Sequence, residues 1–317
     1  MLLTGYLILA AAVLSAQDAS SSHFYANPLY MNPALAGIEG KGRAVLAYRN
    51  QWPSATDAYN TLHASYDQYV EALGGGVGMH VMNDQQGGGV MNNLSVDALY
   101  SYHLKVSREL TVSGGLQASV GQRNLNTEGL ILPGDLDGGT GSNLVSSSRW
   151  YPDFSTGFAF FRKNLYGGVA VHHLLQPYMA QSKDPNTRLM RRYSANLGML
   201  IPVYEKRFGK EVLQLSPNLI FLQQGIYQQL NYGMEIHYKD ILGGLWFRQD
   251  LVFNYGTLIF SVGYARDQFR FRYSYDTRLS SPGLSLPHMG AHELSVGFVF
   301  ENLHNSGKHR AIKSPKI

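Results

Sequence analysis

The sequence of 317 residues contains no cysteine. That excludes disulfides, thiolate metal sites and lipid attachment through a cysteine. Charge is scarce as well: Asp, Glu, Lys and Arg make up 15% of the chain, against about one quarter in ordinary soluble domains. The formal balance of +4 is mild and does not suggest a nucleic-acid partner. Long apolar runs are missing after the first residues, so no internal stretch reads as a membrane-spanning helix. The one apolar run, Tyr6 to Leu14, is shorter than the ~20 residues that a spanning helix needs. It ends on Ser15-Ala16 before Gln17, so residues 1–16 read as a secretory signal, although the first residues carry no Lys or Arg.

What the chain has instead is alternation. From Arg43 to Phe300 apolar residues interleave with small or polar ones, most clearly in the last segment, where Leu294, Val296, Phe298 and Phe300 alternate with Glu293, Ser295, Gly297 and Val299. A strand sends successive side chains to opposite faces, so each segment has one greasy and one wettable face. The spacing predicts fourteen strands over residues 43–300, an even number suited to an antiparallel barrel facing lipid outside and water inside. With 21 Tyr, 14 Phe and 34 Gly, the chain has the aromatics for interfacial girdles and the small residues for a crowded interior. Loop lengths sort by parity. The even-numbered joints are mostly short and charged, and the long joints Arg123–Arg149, Leu175–Arg191 and Leu279–Gly290 are all odd-numbered. Outer-membrane barrels have short periplasmic turns and longer outer loops, whereas a soluble sandwich has no reason to sort its loops this way.

Charges inside the strands fall on the wettable face: Arg270, Arg272, Asp276 and Arg278 alternate with Phe269, Phe271, Tyr273 and Tyr275. A paired internal network that stiffens the barrel is expected over an anion-selective pore, because an interior charge needs a partner whether or not anything passes. Before the first strand, residues 24–37 read FYANPLYMNPALAG and break the alternation. The pairs Asn27-Pro28 and Asn32-Pro33 favour turns and exclude a central strand. Phe24, Tyr25 and Tyr30 need a place to bury, most simply the periplasmic mouth of the barrel. The chain thus divides into a signal (1–16), an Asn-Pro segment acting as a plug at that mouth (17–42), a barrel (43–300) and a tail (301–317). An even strand count puts both mature termini in the periplasm. The tail carries Lys308, Arg310, Lys313 and Lys316. With the basic short turns it would favour an acidic periplasmic partner, against the plainer reading that these charges only solvate the turns.

The run Asn27, Pro28, Asn32, Pro33, Ala34 and Gly37, followed by Tyr48, Arg49, Gln51 and Trp52 and the Gly-rich stretch Gly74–Gly78, resembles the PorP/SprF family of Bacteroidota. Tyr100–Leu104, YSYHL, resembles the family's fourth-strand region. The resemblance covers the mature chain in layout and is motif-like over its first part. It implies a non-enzymatic outer-membrane barrel of the type IX secretion and gliding-motility machinery, without a cofactor. Its implied partners are ring lipoproteins and a peptidoglycan-binding protein in the periplasm, or a secreted adhesin anchored at the cell surface. The outer loops are then candidates for cargo contact.

Catalytic signals are weak. His172 and His173 are adjacent, so a strand would point them to opposite faces, away from a shared metal. The glycine clusters Gly74–Gly76 and Gly87–Gly89 lack the Lys-Ser/Thr of a phosphate loop. Asp135 and Asp137 sit among glycines without the remaining ligands of a calcium loop. No catalytic, metal or cofactor residue is singled out. The alternatives that remain are a general channel or solute transporter and, behind it, a barrel lipase.

Overall fold

A computed structural model of the chain describes residues 18–53, 58–127, 146–180, 187–205, 211–251, 256–279 and 290–300. The signal, the basic tail with Lys308, Arg310, Lys313 and Lys316, and the loop holding Asp135 and Asp137 lie outside these residues.

The described strands close into one antiparallel barrel of fourteen strand positions. They are β1 Gly42–Gln51, β2 Tyr59–Val70, β3 Gly75–Gln86, β4 Met91–Lys105, β5 Leu110–Leu125, β6 Ser147–Arg162 and β7 Leu165–His172. The remainder are β8 Arg192–Met199, β9 Ile201–Glu205, β10 Glu211–Gln224, β11 Tyr227–Tyr238, β12 Ile241–Asp250, β13 Gly256–Arg266, β14 Phe269–Leu279 and β15 Ala291–Phe300. β1 closes the ring on β15, in register from Gly42↔Phe300 to Gln51↔Ala291.

Segments β8 and β9 are two halves of one strand position, both paired with β10. The ladder breaks at Leu200, whose N–H turns to Asn164 O at 2.7 Å. Pro217 of β10, opposite Met199 beside the break, has no N–H to donate. The short turns at the other strand joints include Lys163, Lys239 and Asp267 at positive φ, the backbone that tight hairpins require.

The alternation has the predicted polarity. On β1, Leu46 is 59% exposed on the outer face, while Arg43 on the inner face is 1% exposed. Such a surface is stable only if lipid covers the outside. Among the described residues no helix is long and apolar enough to cross a membrane; strands make the crossing here.

The segment before β1 does not stop at the mouth. It runs the length of the lumen, from Asp18, beside Gln224 and His173 at the long-loop end, to Glu39, beside Arg270 at the short-turn end. This corrects one expectation, a plug confined to the periplasmic mouth. The physical reason is that the inner wall is charged at both ends with an apolar stretch between them, and the segment matches that order. Asp18 and Ser22 take the charges, and Phe24 to Ile38 take the apolar wall. That lower part forms the main apolar core, in which Phe24, Tyr25, Leu35 and Ile38 pack with Phe161, Tyr166, Ile220, Trp246 and Ile259.

Candidate functional site

The plugged lumen is the site, and its seat is a row of small residues. Strand register places Gly76, Ser101, Gly115, Gly157, Ala170 and Ser194 side by side across the inner face of β3 to β8. The segment lies on this row as a short helix α1, Pro28–Met31, and a 3-10 turn, Pro33–Leu35. A Cβ at Gly115 would overlap the backbone of Ala34, and one at Gly157 would overlap the Asn32 side chain. Larger side chains would push the segment off the wall.

The Asn-Pro motif supplies the fasteners. Asn32 Oδ1 accepts the Ala34 N–H at 2.9 Å, capping the 3-10 turn. Its Nδ2 donates to Phe158 O at 3.1 Å and Val169 O at 3.2 Å, on two different strands. Pro33 opens the turn without needing a donor. Below it, Ala34 O and Ala36 O accept the Ser113 and Ser101 hydroxyls, each at 2.7 Å. Gly37, at φ +71°, donates its N–H to Asp67 Oδ2 at 2.7 Å. Asp67 is held in turn by Arg43 through two bonds of 2.9 Å. Asn27 and Pro28 begin α1, but the Asn27 side chain caps nothing.

At the long-loop end the fasteners are ionic. Arg49 reaches Asp276 at 2.8 Å, Glu293 at 3.1 Å and the Ser22 hydroxyl at 2.9 Å. Ser22 donates its N–H to Glu293 at 2.7 Å, and Arg248 donates to Ser21 O at 2.9 Å. Asp18 meets His173 Nε2 at 2.8 Å and Arg192 Nη1 at 3.0 Å. Burial alone would raise the Asp18 carboxyl, but His173 and Arg192 outweigh it and hold it well below the usual carboxylate range. Burial would likewise lower His173, yet Asp18, with Asp153 at 2.6 Å on Nδ1, lifts it to about 9. The inner charges form the paired network that the sequence suggests; Arg272 pairs with Glu235, and Arg270 with Glu39 at 2.8 Å.

The remaining motif residues divide between the two faces. Tyr48 faces outward and donates to Asn60 at 2.7 Å, whereas Arg49 points into the lumen. Gln51 accepts from Arg49 at the limit of bonding, 3.5 Å. Trp52, just past β1 at φ 61°, stacks edge-on against Tyr59. The two histidines differ from the expectation. His173 lies beyond the end of β7 at φ 59°, which breaks the alternation, and both rings line one lumenal cavity. No group of three or more His, Asp or Glu among the described residues is arranged to hold a metal.

The sequence reading missed Asp18, Asp67 and a buried chain in which His63 Nδ1 meets His80 Nε2 at 3.1 Å and His80 Nδ1 meets Asp97 at 2.7 Å. Only the row of small residues could have been found, and only after the strands were set in register.

Comparison with known proteins places this geometry. No curated protein matches the chain. Solved barrels do. The Ralstonia pickettii toluene transporter TbuX is 12% identical, with 86% of this chain and 92% of that one covered and a TM-score of 0.50. CymD, described as a monoaromatic hydrocarbon channel, is also 12% identical, over 88% and 94%, with a TM-score of 0.51. The Pseudomonas putida toluene transporter TodX is 11% identical over 87% and 94%, with a TM-score of 0.50. These likenesses establish the fold and, with the family, the outer membrane as its place. The sequence model described as "Type IX secretion system membrane protein PorP/SprF" matches residues 13–298, nearly the whole chain, and the chain belongs to that family.

Proposed function

We propose that this barrel works by holding proteins, neither passing solutes nor transforming them. The observation that carries the reading is the N-terminal segment: it fills the lumen from one end to the other and is fastened at both. A barrel built as a channel has no use for the ion pairs at Asp18 and Glu39 and the hydrogen bond at Ser22 that pin a plug. A barrel built as a post gains rigidity from them.

The two ends then take different partners. The short-turn end presents Lys105, Arg108, Arg162, Lys163, Lys239 and Arg266, and with the basic tail it suits acidic surfaces on periplasmic ring lipoproteins or a peptidoglycan-binding protein. The long loops suit a secreted adhesin. Deleting the gene and cataloguing secreted proteins tests the reading. Loss of all cargo assigns the barrel to the core apparatus, loss of one assigns it to a dedicated anchor, and unchanged secretion and surface display reject both.

The rival reading, a solute channel, is tested in planar bilayers. The full barrel is expected to be silent, and removal of residues 18–41 is expected to produce conductance. Steady conductance by the intact chain would overturn the post.

A further inference from the structure

Strand register also sets a row of side chains level with one another on the outer wall. Asn50 of β1 pairs with Asn60 of β2, Asn60 with Gln85 of β3, and Gln85 with Asn92 of β4. Asn92 pairs in turn with Asn124 of β5, and Asn124 with Ser148 of β6. Each lies an even number of residues from an exposed apolar residue of its own strand (Leu46, Leu62, Met79, Val96, Val120 and Trp150), so all six face outward. One row nearer the short turns, Asn83 and Gln122 stand among Tyr48, Leu62, Leu94 and Trp150. The row after that is apolar throughout, from Leu46 through Val81 and Val96 to Pro152. The amides therefore stand where the apolar band ends on the long-loop side, at the depth of lipid headgroups.

Neither of these polar rows contains a charged residue. At the other boundary the turns joining β4, β5, β6 and β7 expose Lys105, Arg108, Glu109, Arg162 and Lys163. Part of the upper row is satisfied internally: Asn60 Oδ1 accepts from the Tyr48 hydroxyl at 2.7 Å and from Asn50 Nδ2 at 2.9 Å, and Gln122 Nε2 donates to Ser148 Oγ at 3.0 Å. Between those pairs, the side chains of Gln85, Asn92 and Asn124 bond to no other described side chain.

We propose that this row binds the uncharged sugar headgroup of a glycolipid in the outer leaflet. An amide both donates and accepts, which matches the hydroxyls of a sugar, whereas a phosphate headgroup calls for the Lys or Arg that the row lacks. Six strands about 4.8 Å apart make the row about 24 Å long, enough for more than one headgroup. Trp150, 60% exposed, and Tyr48 lie one row below with their rings at the lipid boundary. Water solvates amides and charges alike, so it gives no reason for charge to vanish at one boundary and not at the other. The proposal does not depend on which proteins the barrel holds.

The test uses the full-length barrel in nanodiscs of phosphatidylcholine doped with digalactosyl diacylglycerol and phosphatidylglycerol of the same acyl chains, with retained lipids read by native mass spectrometry. The galactolipid should be retained over phosphatidylcholine by about threefold or more, the gain of one or two net hydrogen bonds. Combining Gln85→Leu, Asn92→Leu and Asn124→Leu should remove that preference and leave phosphatidylglycerol retention unchanged. Folding is verified by heat-modifiable gel mobility, with Gln85→Ala, Asn92→Ala and Asn124→Ala as the substitute if the first variant misfolds. Equal retention of galactolipid and phosphatidylcholine, or a preference that survives the substitutions, would overturn the proposal. So would a parallel loss of phosphatidylglycerol, or a dimer of the barrel that the substitutions break, which would give the row to a second copy.

Discussion

Single residues in this barrel act through what they touch across the lumen. Gly115 matters because Ala34 lies against it, so Gly115→Val should lift the 3-10 turn off its seat. The expected result is a barrel that still shows heat-modifiable mobility but whose N-terminal segment is open to proteinase K. Full protection would show that the wall yields instead. Arg49 matters because it pairs with Glu293 and shares Asp276 with Arg248. Removing one partner of a buried pair leaves charge uncompensated and costs about 3–5 kcal/mol. Arg49→Met should therefore lower the urea midpoint of the purified barrel by more than any substitution of an exposed lipid-facing residue such as Leu46.

At the scale of elements, the N-terminal segment is the part whose hold depends on pH. His173 is raised from 6.5 to about 9 by its carboxylate neighbours. A group with a raised folded pKa contributes stability that is complete below its unfolded value and disappears as the pH rises through the folded one. The Asp18–His173 latch should thus be intact at neutral pH and weaken as the pH passes about 9. Asp18 is shifted the other way, so its contribution is present above its unfolded value and fades in acid. Protease protection of the segment, followed from neutral to alkaline pH, should fall in the native chain. In His173→Gln it should start lower and show no step near that pH. An identical step in both would place the latch elsewhere.

The whole molecule is asymmetric end to end. Short turns and β15 finish at one end; long loops and Asp18 lie at the other. Replacing Lys308, Arg310, Lys313 and Lys316 with Ser should reduce co-purification of periplasmic partners, and unchanged recovery would reject the basic tail as their contact. The lumen carries a second asymmetry: β3 to β8 present the small-residue seat, while Ile220, Trp246 and Ile259 pack against the segment from the other side.

Much of this was legible in the sequence because a half-buried strand writes its two faces into alternate residues. All fourteen strand positions fall where the alternation puts them, with β8 and β9 sharing one. The Asn-Pro run was legible as a non-strand segment that needed burial. Its full path was not, because Asp18 and Ser22 are too sparse a polar signal to reveal that the lumen's far end would bind them. The placement of His173 was not legible, because one residue at positive φ cancels the alternation of the strand before it.

The barrel, the sorting of its loops between two ends and its family were written in the sequence, since those follow from local periodicity, loop length and a short motif. Only the tertiary structure decided that the lumen is filled, how it is fastened, and that six uncharged polar side chains stand level on the outer wall of β1 to β6. Those outcomes depend on which residues of fourteen strand positions come level with one another around the ring, and register across a closed sheet is a property no single strand contains.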